Sequence, residues 1–174
     1  MAKDKKAVAA IKTALKHGDT ELRIGDIEWE PTEIADEIAK LDHLESLHLN
    51  AIAITDVSPL AKFARLRSLT IYSVREVELA PIGQLGNLRQ LELTGDGVTQ
   101  LEFLSNLRNL QSLHIQGPID DWSPPSTLTG LKQLAIQSDD QTDISPLASL
   151  TKLERLSISD AISPASVPCR NCPS

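Results

Sequence analysis

Aromatic side chains are scarce in this sequence: phenylalanine, tryptophan and tyrosine together make up 3% of its 174 residues. With 41% hydrophobic residues in all, leucine and isoleucine have to fill any core. Cysteine is nearly missing as well. Cys169 and Cys172 stand together at the end of the sequence, where they cannot staple the body of a fold, and one C-x-x-C pair without a second is a weak metal or redox signal. No apolar run approaches the ~18 residues of a membrane span. The start, MAKDKKAVAAIKTALKHG, is basic but lacks the apolar run and cleavage pattern of a signal peptide. A soluble, cytoplasmic protein with no membrane partner is expected. Glycine-rich phosphate loops, nucleophile elbows and carboxylates paired in a plausible cleft are also missing, so the sequence points away from an enzyme and implies no cofactor. Positive charge is short: 17 Lys and Arg stand against 24 Asp and Glu, a net charge of -7. That balance argues against nucleic acid and leaves room for a protein partner with a basic surface.

What the sequence has is rhythm. The stretch from Asp143 to Ile158, DISPLASLTKLERLSI, joins a proline-closed turn to leucines spaced L-x-x-L-x-x-L-x-L. The first leucine of each L-x-x-L-x-L falls at Leu44, Leu66, Leu88, Leu110, Leu131 and Leu153, with differences of 22, 22, 22, 21 and 22. The anchors that follow keep phase: Leu47 and Leu49, Leu69 and Ile71, Leu91 and Leu93, Leu113 and Ile115, Leu134 and Ile136, Leu156 and Ile158. Later in each unit a second apolar triplet recurs, beginning with Val57, Leu60 and Phe63. The 21-residue unit stays intact when the missing residue is assigned near Gly117-Pro118; Ile119, Trp122 and Leu128 then point inward, with Pro125 in place of a leucine. A unit of this kind cannot bury its leucines alone, so neighbours must stack into a solenoid.

Three regions follow. Residues 1–18 read as an N-terminal capping helix, with Val8, Ile11 and Leu15 on one face and Gly18 as its left-handed stop. Residues 19–160 hold the repeats and about seven strands, counting a degenerate first one at Leu22 and Ile24, after which Ile27 and Trp29 point inward and Ile34, Ile38 and Leu41 form a helical turn. Residues 161–174 form an irregular tail with no further leucine set: either it folds over the last rung, or the array is a shortened version of a longer one, or the uncapped edge pairs with another molecule. Seven parallel strands span about 29 Å at ~4.8 Å per interval.

These residues resemble the leucine-rich repeat family at its 22-residue period. The turns Asp56-Val57-Ser58-Pro59-Leu60, Asp143-Ile144-Ser145-Pro146-Leu147 and the looser Glu78-Leu79-Ala80-Pro81-Ile82 are similar to those of bacterial internalins and phosphatase-regulating repeat proteins. The resemblance implies an α/β fold: a right-handed solenoid with a parallel sheet on its concave side and short turns or 3-10 helices on its convex side. It also implies a non-enzymatic protein-protein interaction module, or alternatively a scaffold that associates through its C-terminal edge. One departure stands out. The family's asparagine eight residues after the first leucine is replaced by Ile52, Val74, Asp96, Pro118 and Asp139, so looser turns are expected after the strands.

Strand alternation exposes the residues between the anchors. The central column is Arg23, His48, Thr70, Glu92, His114, Ala135 and Ser157. Partner contacts on this face are expected from Arg23, His48, Tyr72, Glu92, His114, Gln116 and Arg155. His48 and His114 stand three rungs apart, about 14 Å, too far to share a metal. Asp56, Glu78, Asp121 and Asp143 share one offset and read first as caps that accept backbone N–H bonds. Asp120, Asp121, Asp139 and Asp140 make the most acidic edge, a second candidate for partner binding.

Overall fold

The computed structural model describes residues 9, 11–14, 16–25, 40–50, 56–138 and 143–160. The expected inward Ile27 and Trp29, the helical turn at Ile34 and Ile38, Asp139, Asp140, the cysteines and the tail lie outside them.

Seven strands form one parallel sheet in sequence order: β1 (Glu21–Ile24), β2 (Ser46–Asn50), β3 (Ser68–Tyr72), β4 (Gln90–Thr94), β5 (Ser112–Gln116), β6 (Gln133–Ser138) and β7 (Arg155–Asp160). The register is that of the repeats. Leu22 lies beside Leu47, then Leu69, Leu91, Leu113, Leu134 and Leu156 follow in one row. A slip of one residue would turn that row outward, which is why a strict period fixes the pairing.

The return segments follow a different period. Ser58–Lys62, Ala80–Gln84, Glu102–Asn106, Pro124–Thr127 and Ser145–Ser149 are 3-10 helices. With three residues per turn, every third side chain shares a face. Val57, Leu60, Phe63 and Leu66 are spaced that way, and each N–H donates to the carbonyl three residues earlier: Leu60 to Val57, Phe63 to Leu60, Leu66 to Phe63. Pro125 breaks the series because it has no N–H to donate. Its 3-10 helix is 4 residues long, against 5 in the other four.

Strand anchors and return-segment side chains meet in one aliphatic cluster, with Phe63, Phe103 and Trp122 its aromatic members. Ile119, Trp122 and Leu128 are buried in it, which places the short repeat in phase with the rest. Ile11 and Ala14 belong to the same cluster. Residues 11–14 and 16–17 are helical, and Gly18 ends them at φ +67° while the Asp19 N–H donates to the Ala14 carbonyl at 3.1 Å. That pairing is a six-to-one helix stop around a left-handed glycine.

The turns after β3, β4 and β5 are not loose. Val74 N–H donates to Thr94 O (2.8 Å), Gly95 N–H to Gln116 O (3.0 Å) and Gly117 N–H to Gln137 O (3.1 Å). Backbone therefore bridges the rungs where the asparagine ladder is missing, and Val74 is free to be buried. The approach is close: a Cβ on Gly95, at φ +140°, would lie 2.2 Å from Val74 O, and one on Gly97 1.7 Å from Arg75 O. Looser turns were the expectation from side chains alone; glycine lets the main chain do the same work.

Candidate functional site

The residues between the anchors line up across the open face of the sheet. Arg23 pairs with His48, His48 with Thr70, Thr70 with Glu92, Glu92 with His114, and His114 with Ala135. Four of the expected contact residues come together there. His114 Nδ1 lies 3.0 Å from Glu92 Oε1. An ionised carboxylate only accepts, so the bond requires the hydrogen on Nδ1. The Tyr72 ring meets the His48 ring edge-on, with centroids 5.0 Å apart and planes at 78°. The Tyr72 hydroxyl interacts with Glu92: partial burial first, then the Glu92 charge and a hydrogen bond to it, push its pKa up, while Arg23 pulls the other way. His48 and Tyr72 thus meet across β2 and β3, and Glu92 and His114 across β4 and β5, with Tyr72 and Glu92 coupled by charge between the two pairs.

The other expected residues border this patch or lie beyond it. Arg23 is engaged with Glu21, Nε to Oε1 at 2.7 Å, on β1. Gln116 lies at the end of β5 between Thr94 and Gln137. Arg155 is on β7 beside Gln133, at the far end of the sheet. The two histidines do not meet, as their spacing required. Among the described residues no group of three or more His, Cys, Asp or Glu could hold a metal ion.

On the turns after the strands, the acidic residues serve the backbone. Asp56 Oδ1 accepts the Ser58 N–H at 2.8 Å and its Oδ2 accepts the Ser58 hydroxyl at 2.9 Å. Asp121 Oδ1 accepts from Ser123 N–H (2.8 Å) and Asp143 Oδ1 from Ser145 N–H (2.9 Å). These backbone bonds, and second the serine hydroxyls, hold all three carboxyls below the usual range. Glu78 shares the offset, but Ala80 stands two residues on where the other three turns have serine. Asp120 is exposed beside Asp121.

Two features escaped the sequence reading. Asn87 Nδ2 donates to Ala64 O (2.7 Å) and Asn109 Nδ2 to Gly86 O (2.8 Å), a rung-to-rung ladder ahead of the strands. The signal was an asparagine directly before the first leucine, at Asn87-Leu88 and Asn109-Leu110. The second is a row of cations at Arg67, Arg89 and Lys132, which an average charge of -7 conceals.

No family profile matches the sequence, and no curated protein does. Solved structures do. The chain is similar to internalin C2 of Listeria monocytogenes at 21% identity and a TM-score of 0.63, covering 88% of this chain and 92% of that one. It is similar to the internalin inlF of the same organism at 25% identity and a TM-score of 0.66, covering 89% of this chain and 56% of that one, so it spans little more than half of that structure. The leucine-rich-repeat ectodomain of the Arabidopsis thaliana receptor kinase GASSHO1/SCHENGEN3 is similar at 22% identity and a TM-score of 0.54, over 76% of this chain and 17% of that one. No helix among the described residues is long and apolar enough to cross a membrane. Repeat phase, strand register, 3-10 return segments and these likenesses agree: the chain has a leucine-rich-repeat solenoid fold similar to that of the internalins.

Proposed function

We propose that the chain is a non-enzymatic protein-binding module acting in the cytoplasm, and that it engages a protein partner on the concave face. The observation that carries this is the linked patch of His48, Tyr72, Glu92 and His114. Each side chain is half-buried and held by its neighbour, so binding would order little that is not already ordered. Tyr72 supplies an aromatic anchor, the residue type that interface hot spots favour. Arg23, Gln116 and Arg155 would act as outlying polar contacts. The Arabidopsis ectodomain was solved in complex with Casparian strip integrity factor 2, which supports protein recognition as the kind of work this fold does.

The test is crosslinked capture from native cells with two sets of variants. Replacing His48 with Ala, and Tyr72 and Glu92 with Arg, should abolish capture of a specific partner, while Ala at Asp120, Asp139 and Asp140 should leave it. The reverse result would move the site to the acidic edge and favour a basic partner. Fractionation of native cells tests the location.

A second reading has one observation of its own. Leu156 and Ile158 on β7 are 48% and 47% exposed, so the chain could assemble through that edge as a scaffold element. Light scattering that found a strict monomer at high concentration would count heavily against it.

A further inference from the structure

The leading edge of the sheet carries a charge pattern that neither the repeat anchors nor the concave patch explains. The residue ahead of each strand from β2 to β7 is Glu45, Arg67, Arg89, Gln111, Lys132 and Glu154 in turn. Backbone bonds hold this row in line: Arg67 N–H to Glu45 O, Arg89 to Arg67 and Gln111 to Arg89, each at 2.8 Å, then Lys132 to Gln111 at 2.9 Å and Glu154 to Lys132 at 2.8 Å. The order is therefore acidic, basic, basic, neutral, basic, acidic. From Arg67 to Lys132 is three strand intervals, about 14 Å.

Two grooves open along the row, of about 420 and 380 Å³, and Arg67 and Arg89 line both. Arg65 adds a further cation to the first groove, and Lys132 lines the second. Arg65 and Arg89 face no acidic partner among the described residues. Arg67 faces Glu45 at 3.8 Å and Lys132 faces Glu154 at 3.3 Å, both as solvent-exposed pairs that exchange at little cost. On a chain of net charge -7 this is a local reversal of sign.

We propose that this edge docks a short, extended acidic segment of a protein partner, on residues that border the concave patch but are distinct from it. Arginine forks match carboxylates two bonds at a time. Ser68, Gln90, Ser112 and Gln133 in the second groove offer neutral hydrogen-bonding groups to the segment's backbone. Length favours a peptide: about four extended residues cover ~14 Å, and alternate side chains face the same way. A nucleic acid is disfavoured because its charge runs on past the row, where Glu45 and Glu154 stand, and into the field of an acidic chain.

The probe is a fluorescein-labelled octaglutamate peptide, titrated with the full chain and read by anisotropy at about 50 mM salt, where screening is weak. The peptide should bind, and Arg89→Ala and Lys132→Ala should each weaken it about tenfold, with Arg89→Lys falling between Ala and the parent. Glu102→Gln, at an exposed position on a 3-10 return segment, should leave the affinity unchanged, and the circular dichroism of every variant should match the parent. Failure of the parent to bind the peptide, equal affinity of Arg89→Ala and parent, or tighter binding of single-stranded octathymidylate than of the peptide would each overturn the proposal.

Discussion

The two ends of the sheet bear the same kind of strand and meet different fates. Leu22 and Ile24 on β1 are 5% and 2% exposed, whereas Leu156 and Ile158 on β7 are 48% and 47% exposed. The sequence positions are equivalent and the apolar types identical. What differs is the neighbour: Ile11 and Ala14 share the core cluster with β1, and no described residue does the same for β7. Burial in a solenoid is thus a property of the next rung and not of the leucine itself.

The largest effect should come from prying two rungs apart in the middle. Gly95→Ala would set a Cβ against the Val74 backbone at a left-handed φ, and about 4 kcal/mol of stability should be lost in urea unfolding. A loss below about 1 kcal/mol would mean that the turns do not hold the rungs in register. Next come truncations at the two ends. Leu22→Ala should cost about 3 kcal/mol, like any fully packed leucine, and Leu156→Ala less than about 1 kcal/mol. Equal costs would break the comparison. Amide exchange sharpens it without mutation: β7 should lose protection well before β4, which is flanked on both sides.

The smallest effects are electrostatic. Asp56, Asp121 and Asp143 have folded-state pKa values below the ordinary carboxylate value, so the stability they confer is present above about pH 4. It is lost as pH falls through the lower folded values. Changing all three to Asn should flatten that acid limb slightly, since the carboxylates are exposed. An unchanged limb would remove them from the turn energetics. Tyr72 has the opposite sign. Its raised pKa makes its contribution full below about pH 10 and lost as pH rises through the folded value, so Tyr72→Phe should flatten only the alkaline limb.

The period was readable because burial forces it. Leu44, Leu66, Leu88 and Leu110 keep phase since a slip would expose a row of anchors. The face was readable in the same way: once Leu91 and Leu93 point in, Glu92 must point out. Contacts between rungs were harder to see. Tyr72 and Glu92 lie on adjacent strands in different columns, and only side-chain conformation decides that they interact. The turns after β3, β4 and β5 are illegible as a side-chain ladder, because Gly95, Gly97 and Gly117 act by lacking side chains. The cation row went unseen because Arg67, Arg89 and Lys132 are scattered in sequence and outnumbered in composition.

The most direct test of the concave-face account places a photo-crosslinking amino acid at Gln116, on that face, and separately at exposed Thr129, on a turn between strands. In native cells the account predicts a partner adduct from position 116, lost when Tyr72→Arg is added, and no matching adduct from position 129. The same adduct from position 129 with none from 116 would contradict it.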